Sequence, residues 1–318
     1  MAAVNESRVP LLHDDRAAHA HERAPPQREV GGGTAVVTSL VAGAAAGALA
    51  KTTIAPLDRA KINFQTSQTP YSWRAAAAFL SHSARAEGAA ALWRGNSATM
   101  ARIVPYAAVQ FTAHEQWKRA LGVDDPQQAQ QHRVVHLVAG SLAGVTSQSL
   151  TYPLDMARAR MAVTGRARYR TLRSVFARVW AEEGARALYR GYPATVLGVI
   201  PYAGVSFFTY DTLKQIYHDR WGGGRSALAS ACCGGAAGAL AQTASYPLDI
   251  VRRRMQTAAP HCATVPATVR HVYRSEGWRG FFKGLSMNWV KGPIAVGISF
   301  ATYDAIKTSL RDLAKALM

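Results

Sequence analysis

This 318-residue chain repeats itself three times, and no other feature restricts its fold as strongly. A proline phrase occurs as APLDRAK at 55–61, YPLDMAR at 152–158 and YPLDIVR at 246–252. A glycine phrase follows each one, as EGAAALWRG at 87–95, EGARALYRG at 183–191 and EGWRGFFKG at 276–284. A Gly-xxx-Gly pair precedes each proline, at Gly43/Gly47, Gly140/Gly144 and Gly234/Gly238. Because the motifs recur in one order, each third of the chain should form the same structural unit.

Each unit is predicted to contain two long helices with a shorter helix between them. Six mostly uncharged runs approach the roughly 20 residues that cross a bilayer, at 34–55, 96–117, 134–152, 192–213, 226–246 and 285–306. The Gly-xxx-Gly pairs are expected to let helix backbones approach closely. We therefore predict an all-α membrane protein with six transmembrane helices in three pseudo-symmetric repeats, at 34–121, 134–220 and 226–314. A buried helical core in a large soluble protein is the alternative.

The basic residues predict the orientation of the spans. Lys and Arg number 37 against 19 Asp and Glu, a net charge of +18, and they concentrate at 59–94, 156–190 and 250–283. Connections rich in Lys and Arg lie on the negative face of a membrane, which in mitochondria is the matrix, so the short helices are expected there. A soluble nucleic-acid binder would need one basic groove with interleaved aromatics rather than charge that alternates with apolar spans. No nucleic-acid partner is therefore predicted.

Other classes of protein find little support in the sequence. Three cysteines, two of them adjacent, exclude a disulfide-stabilised secreted domain. No metal-ligand spacing, glycine-rich phosphate loop or nucleophile motif is present, so we predict no enzyme activity, no catalytic residue, no metal and no cofactor. Residues 1–33 mix acidic and basic side chains with two prolines and a run of glycines, which favours a disordered tail over a transit peptide.

An acid and a base follow each repeated proline on one helix face. They lie three positions apart in each repeat, at Asp58/Lys61, Asp155/Arg158 and Asp249/Arg252. Three such helices around a threefold axis can pair acid to base in a ring. Because ionised groups at membrane depth are costly unless they are paired or face water, a paired ring is the expected arrangement. The proline inside each helix should also remove a backbone hydrogen bond and kink the helix.

Pro-x-Asp-x-x-basic, followed by an acidic-Gly-x4-aromatic-basic-Gly phrase and repeated three times, resembles the mitochondrial carrier family. The resemblance covers about residues 34–312. It implies a monomeric six-helix bundle that spans the inner mitochondrial membrane, with short helices on the matrix side. Such carriers exchange solutes by alternating access through a central site, without ATP hydrolysis.

The resemblance also implies a matrix gate. Its pairs would be Asp58–Arg158, Asp155–Arg252 and Asp249–Lys61, with glutamine braces beneath them at Gln65 and Gln256. Ala162 occupies the third brace position, so one brace is missing and a weaker closed gate is expected. The second basic residue of the motif is present at Arg160 and Arg254, whereas the first repeat has Asn63.

Two further sets of residues follow from the same resemblance. The cytoplasmic gate would pair Glu115–Lys214, Asp211–Lys307 and Asp304–Lys118. Cardiolipin, the one bound lipid implied, would lie at the start of the second long helix of each repeat, at Arg94-Gly95, Arg190-Gly191 and Lys283-Gly284. Main-chain N–H groups and a helix dipole suit a phosphate there, although a plain helix start explains the same phrases.

Substrate contacts in the family lie about midway along these second helices. The matching positions are Arg102, Gly198-Val199 and Lys291. Gly198 would leave a flat slot for a purine that Val199 packs against, with Tyr202 one turn on placed to stack. Lys51, Arg102 and Lys291 lie in apolar spans, where cations are costly and would attract phosphates. Satisfied interhelical charge and, for the Gly-Val pair, ordinary helix packing are the alternatives.

Four stretches resemble the family members that exchange coenzyme A with adenosine 3′,5′-diphosphate and ADP: WRGNSATM, TVLGVIPYAGVSFFTY, SYPLDIVRRRMQTA and KGLSMNWVKGPIAVGISF. The resemblance implies that these anionic molecules are the substrates. The residues alone predict a transporter of anionic, nucleotide-like solutes. An ATP-Mg/phosphate carrier or another adenine-nucleotide exchanger is the alternative within the family, and a soluble basic binding protein is the alternative outside it.

Overall fold

The computed structural model describes residues 32–123, 133–165, 167–221, 227–257 and 262–316, and over these residues it contains nine α-helices and no strand. The long helices are α1 (Gly32–Thr66), α3 (Asn96–Ala120), α4 (Arg133–Val163), α6 (Tyr192–Trp221), α7 (Ala227–Thr257) and α9 (Leu285–Ala316). The short helices are α2 (Trp73–Glu87), α5 (Leu172–Glu183) and α8 (Val265–Glu276). Each short helix leads into one 3₁₀ turn, at Ala89–Trp93, Ala185–Tyr189 and Trp278–Phe282. The predicted all-α fold with two long helices in each repeat is confirmed.

The short helices begin and end at residues that the repeats supply. Their N-caps are hydroxyl residues whose side chains accept main-chain N–H bonds, namely Ser72, Thr171 and Thr264. Each ends at the glycine of the acidic-Gly phrase, with φ between 65° and 85°, at Gly88, Gly184 and Gly277. Side chains other than glycine rarely adopt that conformation, which explains why the glycine recurs.

The six long helices form a closed ring. The most extensive packing joins α1 with α9, α3 with α4, and α6 with α7, so the end of each repeat packs against the beginning of another. Each pair of long helices within one repeat also makes contact. The first long helices of the three repeats, α1, α4 and α7, additionally contact one another. The acid–base motifs on these three helices are thereby brought towards a common axis.

A proline lies inside every long helix. The prolines predicted in α1, α4 and α7 are Pro56, Pro153 and Pro247. Pro105, Pro201 and Pro293 are the equivalent prolines of α3, α6 and α9, and the repeated motifs do not include them. Because proline has no N–H to donate, each of the six helices loses an intrahelical hydrogen bond in its interior. The repeat therefore extends to the backbone of both long helices.

The Gly-xxx-Gly pairs do not mediate close helix packing, so this expectation was wrong. A Cβ atom built on Gly43, Gly47 or Gly238 would meet no neighbouring atom within 4 Å. The same holds for Gly140 and Gly144, which line an internal cavity. A Cβ on Gly234 would meet only the ring of Tyr210, at 4.0 Å, so none of these glycines brings two helix backbones into contact.

The outer surface of the bundle carries large apolar side chains. Phe111, Ile200, Phe208 and Phe300 are each more than two-thirds exposed. Among the described residues, one helical stretch, Ala185–Arg220, is long and apolar enough to cross a membrane by length and composition alone. The other long helices contain polar side chains that meet inside the ring, which lowers their hydropathy and gives the chain a mean hydropathy of −0.05.

The predicted tail falls almost entirely on residues 1–31, which lie outside the described residues. Helix α1 begins at Gly32, so the last two residues assigned to the tail are helical. The first repeat therefore starts two residues earlier than its motifs indicate.

Candidate functional site

Three acid–base pairs join α1, α4 and α7 where these helices converge. Lys61 Nζ lies 3.0 Å from Asp249 Oδ2, and Arg252 Nη2 lies 2.6 Å from Asp155 Oδ2. Arg158 forms the third pair with Asp58. Each helix contributes one acid and one base to different partners, so the pairs close into a ring. We call these six residues the acid–base ring; it has the connectivity that the family resemblance implies, and it closes one end of the bundle.

The two predicted glutamine braces each connect a ring carboxylate to a buried tyrosine. Gln65 Nε2 donates to Asp249 Oδ2 at 2.9 Å and to Tyr246 Oη at 3.2 Å. Gln256 contacts Asp155 and Tyr152 in the same way, at 2.8 and 3.0 Å. Both tyrosine hydroxyls in turn donate to the main-chain carbonyl just before the next long helix, Tyr152 to Arg190 and Tyr246 to Lys283. The aromatic residue of YPLD is therefore part of the brace, a role that sequence reasoning missed.

The third ring pair lacks both parts of this brace. Ala162 stands where the other repeats have glutamine, and Ala55 stands where they have tyrosine. A small cavity of about 10 Å³ lies between these two alanines and Asp58. The glutamine and the tyrosine are thus missing together, and space remains beside the carboxylate that they would contact.

Arg253 is a further member of the closed end that was not predicted. Its Nη1 donates to Asp155 Oδ2 at 3.2 Å and to Gln256 Oε1 at 2.9 Å, and its Nε lies 4.0 Å from Asp249 Oδ1. It therefore lies between two ring carboxylates. The signal in the sequence is the run of three arginines at 252–254, of which the motif explains only the first and the third.

The second basic residue of the motif ties the long helices to the short ones. Arg160 donates through Nε to the carbonyl of Gln256 at 3.0 Å and pairs with Glu183 at the end of α5. Arg190 also contacts Glu183, at 2.7 Å. The hydrogen bond from Arg160 lowers the pKa of Glu183, with a further contribution from the charge of Arg190. Glu183 therefore connects the end of α5 to α4 through Arg160 and to the residues before α6 through Arg190.

A cavity of about 540 Å³ lies above the ring and contains the predicted purine wall. Gly198, Val199 and Tyr202 of α6 line it, and Asp249 and Arg252 lie at its closed end. A second cavity of about 610 Å³ adjoins it, shares His136 and Phe207 with it and reaches Asp211 and Lys214 near the end of α6. The bundle is therefore closed at the acid–base ring and open towards the opposite end.

The predicted mid-depth cations have protein partners in this state. Arg102 donates to Gln148 Oε1 at 2.6 Å and to Thr151 Oγ1 at 3.1 Å, and its guanidinium carbon lies 4.5 Å from the ring centroid of Tyr106. Lys291 Nζ donates to Asp58 Oδ1 at 2.8 Å. Interhelical charge pairing, the alternative to a free cation, therefore describes both residues here. Lys51 is exposed and makes no hydrogen bond or ion pair with any described residue.

The second set of gating pairs is open. Glu115 pairs with Lys118 of its own helix at 2.9 Å rather than with Lys214. Within the described part of the chain, no ion pair joins Asp211 to Lys307 or Asp304 to Lys118. Lys214 and Lys307 instead lie over the rings of the tyrosines before those acids, 5.8 Å from Tyr210 and 5.1 Å from Tyr303. Closed pairs at one end and separated pairs at the other describe a single gated state.

The predicted cardiolipin positions serve close helix packing. A Cβ on Gly95 would lie 2.9 Å from the carbonyl oxygen of Arg158, and one on Gly191 would lie 2.9 Å from that of Arg252. Both glycines also have positive φ, as does Gly284. Arg94 Nη2 donates to the carbonyls of residues 165 and 169, and Lys283 pairs with Glu276. The helix-start alternative thus accounts for these phrases without a lipid, and the lipid role stays a prediction.

A family model described as mitochondrial carrier protein matches the chain three times, at residues 33–125, 129–221 and 223–313. The chain is 51% identical over 310 residues to the mitochondrial coenzyme A transporter SLC25A42 of Homo sapiens, a match that covers 95% of this chain and 96% of the relative. It is 52% identical to the protein of the same name from Danio rerio, over 88% of this chain and 89% of the relative. Solute carrier family 25 member 16 of Bos taurus is 40% identical, over 85% and 87%.

Proposed function

Because the chain belongs to the mitochondrial carrier family, we propose that it exchanges coenzyme A with adenine nucleotides, adenosine 3′,5′-diphosphate and ADP, by alternating access across the inner mitochondrial membrane. Membership of the family makes the chain a mitochondrial membrane transporter rather than an enzyme. Relatives that carry the name coenzyme A transporter are about half identical to it over most of their length, which supports coenzyme A as a substrate. The exchange with nucleotides rests on the chemistry of the cavity.

The observation that carries the proposal is the cavity that ends at the acid–base ring. Its wall combines Gly198, where a flat base meets no side chain, with Val199 and the half-exposed ring of Tyr202. Arg252 lies at its closed end, and Arg102 lies one contact away through Gln148, which also lines the cavity. An apolar slot beside guanidinium groups suits a purine that carries phosphates. Coenzyme A, adenosine 3′,5′-diphosphate and ADP share that chemistry.

Alternating access follows from the two ends of the bundle. For a solute to leave past the ring, the pairs Asp58–Arg158, Asp155–Arg252 and Asp249–Lys61 must separate. Closure of the other end would then bring together Glu115–Lys214, Asp211–Lys307 and Asp304–Lys118. Exchange without net transport is expected, because an occupied site must supply the interactions that offset the loss of the ring. Cardiolipin at Arg94-Gly95, Arg190-Gly191 and Lys283-Gly284 would hold the moving repeats in the bilayer.

The test is exchange by the purified chain in liposomes. Internal ADP is exchanged against external labelled ADP, and unlabelled coenzyme A, adenosine 3′,5′-diphosphate, ATP and phosphate compete in turn. Strong competition by coenzyme A and adenosine 3′,5′-diphosphate, with little by phosphate, supports the proposal. Preference for ATP-Mg and phosphate would overturn it in favour of the other nucleotide carriers.

A further inference from the structure

Asp58 is held by cations from two other helices. Arg158 of α4 pairs with one of its carboxylate oxygens, and Lys291 of α9 donates to the other at 2.8 Å. Asp58 is buried, and the side chain of Lys291 is only 24% exposed. A residue at substrate depth on α9 thus reaches a pair of the closed gate between α1 and α4.

The other two ring carboxylates receive their second donor differently. Asp155 accepts from Gln256, and Asp249 accepts from Gln65. The pseudo-equivalent donor for Asp58 would come from position 162, which is alanine, and the small cavity beside Ala162 and Ala55 is the space that it leaves. Lys291 therefore supplies a hydrogen bond to the one ring carboxylate that has no glutamine.

We propose that Lys291 is the brace of the Asp58–Arg158 pair, and that an anionic group of the substrate opens this pair by drawing Lys291 away. The first part concerns the empty carrier and is independent of the substrate. The second part rests on the proposed function. Together they make Lys291 a positioning residue for the gate as well as a ligand for the solute.

The chemistry of lysine suits this exchange of partners. An ammonium on a flexible four-carbon stem is a point charge that can move from a carboxylate to a phosphate, whereas a glutamine amide gains much less from a phosphate. Once Lys291 leaves, Asp58 retains Arg158 but loses one of the two cations that contact it. At the equivalent depth of the other repeats, Arg102 remains 3.9 Å from Asp155 and Gly198 has no side chain. A direct hydrogen bond from a substrate-depth cation to a ring carboxylate therefore occurs at Asp58, whereas Arg102 approaches Asp155 without one.

The first test is a double-mutant cycle on thermal unfolding of the purified carrier in detergent without any solute. Lys291→Met should lower the unfolding midpoint by on the order of 5 °C, because Asp58 loses a charged hydrogen bond. Ala162→Gln should recover most of that loss in the Lys291→Met background, yet add little to the wild type, where Lys291 already holds Asp58. If the methionine variant does not fold, Lys291→Gln takes its place in the same cycle.

The matched control is the same cycle with Gln256→Met, which removes a brace from a different carboxylate. There the effect of Ala162→Gln should equal its effect in the wild type. If Lys291 braces Asp58, the changes in unfolding midpoint caused by Lys291→Met and Ala162→Gln should be non-additive. Those caused by Gln256→Met and Ala162→Gln should be additive. Equal effects of Ala162→Gln in all three backgrounds, or an unchanged midpoint in Lys291→Met, would overturn the assignment.

The second test separates the brace from its release by substrate. In liposomes, Lys291→Met with Ala162→Gln should exchange ADP at least about ten-fold more slowly than the wild type although its stability is restored, because no phosphate can draw the amide away. Recovery of exchange together with stability would overturn the release step and leave the brace. A third outcome is also distinguishable. If the unfolding cycle shows coupling but the wild-type chain exchanges neither coenzyme A nor nucleotides, the proposed function is contradicted and the brace is retained.

Discussion

Arg59 donates through Nε to the main-chain carbonyl of Ala162 at 3.2 Å. The same bond joins Arg160 to Gln256 and Arg254 to Gln65, each at 3.0 Å. Arg59 also donates to the carbonyl of Ala91 at 2.6 Å and lies 3.8 Å from Glu87, the acid of its repeat. Arg59 therefore makes in the first repeat the contacts that Arg160 and Arg254 make in the others, one to a main-chain carbonyl of another long helix and one to the acid of its own repeat. The departure at Asn63 is compensated by an arginine one helical turn earlier on the same face.

The compensation predicts that Arg59→Ala destabilises the carrier and that Asn63→Arg restores it. Arg59 is buried, so its loss removes a charged donor from the carbonyls of Ala91 and Ala162 and the cation beside Glu87, and it should cost about 2–3 kcal/mol. Asn63→Arg places a guanidinium where Arg160 and Arg254 have theirs. The unfolding midpoints of Arg59→Ala, Asn63→Arg and the double variant test this. A double variant no more stable than Arg59→Ala would show that the two positions are not interchangeable.

Glu183 should contribute to stability, whereas its neighbour Glu182 should not. Glu183 contacts Arg160 and Arg190, and its side chain is 23% exposed. Among the described residues, Glu182 forms an ion pair with Arg168 alone, at 3.4 Å, and both of those side chains are about half exposed. Glu183→Gln is therefore expected to cost about 1–2 kcal/mol and Glu182→Gln almost nothing. Thermal unfolding of the two variants at one pH makes the comparison, and equal midpoints would contradict it.

The contribution of Glu183 should also depend on pH. The pKa of Glu183 is lowered in the folded chain by its hydrogen bond to Arg160, so the folded state favours the ionised form. Its contribution is complete above the unfolded pKa of about 4.3 and is lost as the pH falls through the lower folded value. The difference in midpoint between wild type and Glu183→Gln should be full at neutral pH and shrink below about pH 4. A difference that grows on acidification would contradict the assignment.

Asp155→Asn should reduce exchange more than ten-fold while the chain stays in the membrane. Asp155 accepts from Arg252, Arg253 and Gln256 and is almost fully buried, so its neutralisation leaves buried cations uncompensated at a cost of about 3–5 kcal/mol. Asp219→Asn is the control, since that side chain is 67% exposed. Exchange in liposomes measures the first effect, and carbonate extraction measures membrane retention. Normal exchange by Asp155→Asn would remove the ring from the mechanism.

A charge reversal at the same pair tests the ring from the other side. Asp155→Arg combined with Arg252→Asp should recover part of the exchange that Asp155→Asn loses, because the reversed pair can still form across α4 and α7. Recovery should be partial, since Arg253 and Arg102 remain near the position where the new cation would lie. The pair therefore couples to its neighbours and is not independent of them.

The sequence predicts those features that depend on the residues of a single repeat and recur in all three. The helix pairs follow from motifs that recur at equivalent positions, and the connectivity of the ring and the braces at Gln65 and Gln256 follow from the family resemblance that those motifs carry. The partners of Arg102 and Lys291 cannot be predicted in this way, because each partner depends on which side chain a different helix presents at that depth. Lys291 reaches Asp58 only because α9 packs against α1 and because the space at Ala162 is unfilled.

Departures from the repeat were harder to interpret than the repeat itself. The repeat predicts that Asn63 and Ala162 leave the motif incomplete, whereas in the structure Arg59 and Lys291 supply the corresponding bonds from another turn and another helix. The motif leaves position 253 unspecified, so it does not predict the contacts of Arg253 with Asp155 and Gln256. The Gly-xxx-Gly spacing predicts close packing, whereas in this gated state no helix backbone approaches these glycines and the pair Gly140/Gly144 lines the cavity.

Gly198→Leu should abolish competition by purine substrates, whereas Gly198→Ala should be nearly silent. A Cβ on Gly198 would meet only Leu248 Cβ, at 3.7 Å, which is an ordinary contact, so alanine fits without displacement. The longer leucine side chain must extend into the cavity between Val199 and Tyr202, where the adenine is proposed to lie. Inhibition of labelled ADP exchange by unlabelled coenzyme A, adenosine 3′,5′-diphosphate and ADP measures the effect, and we expect at least a ten-fold loss of competition for all three. Lys291→Ala should weaken the same solutes through their phosphates, by about ten- to a hundred-fold. Because Gly198→Leu removes no charge, it should not change competition by any small anion that the carrier accepts. Equal losses of competition for purines and small anions would show that the adenine does not bind beside Gly198.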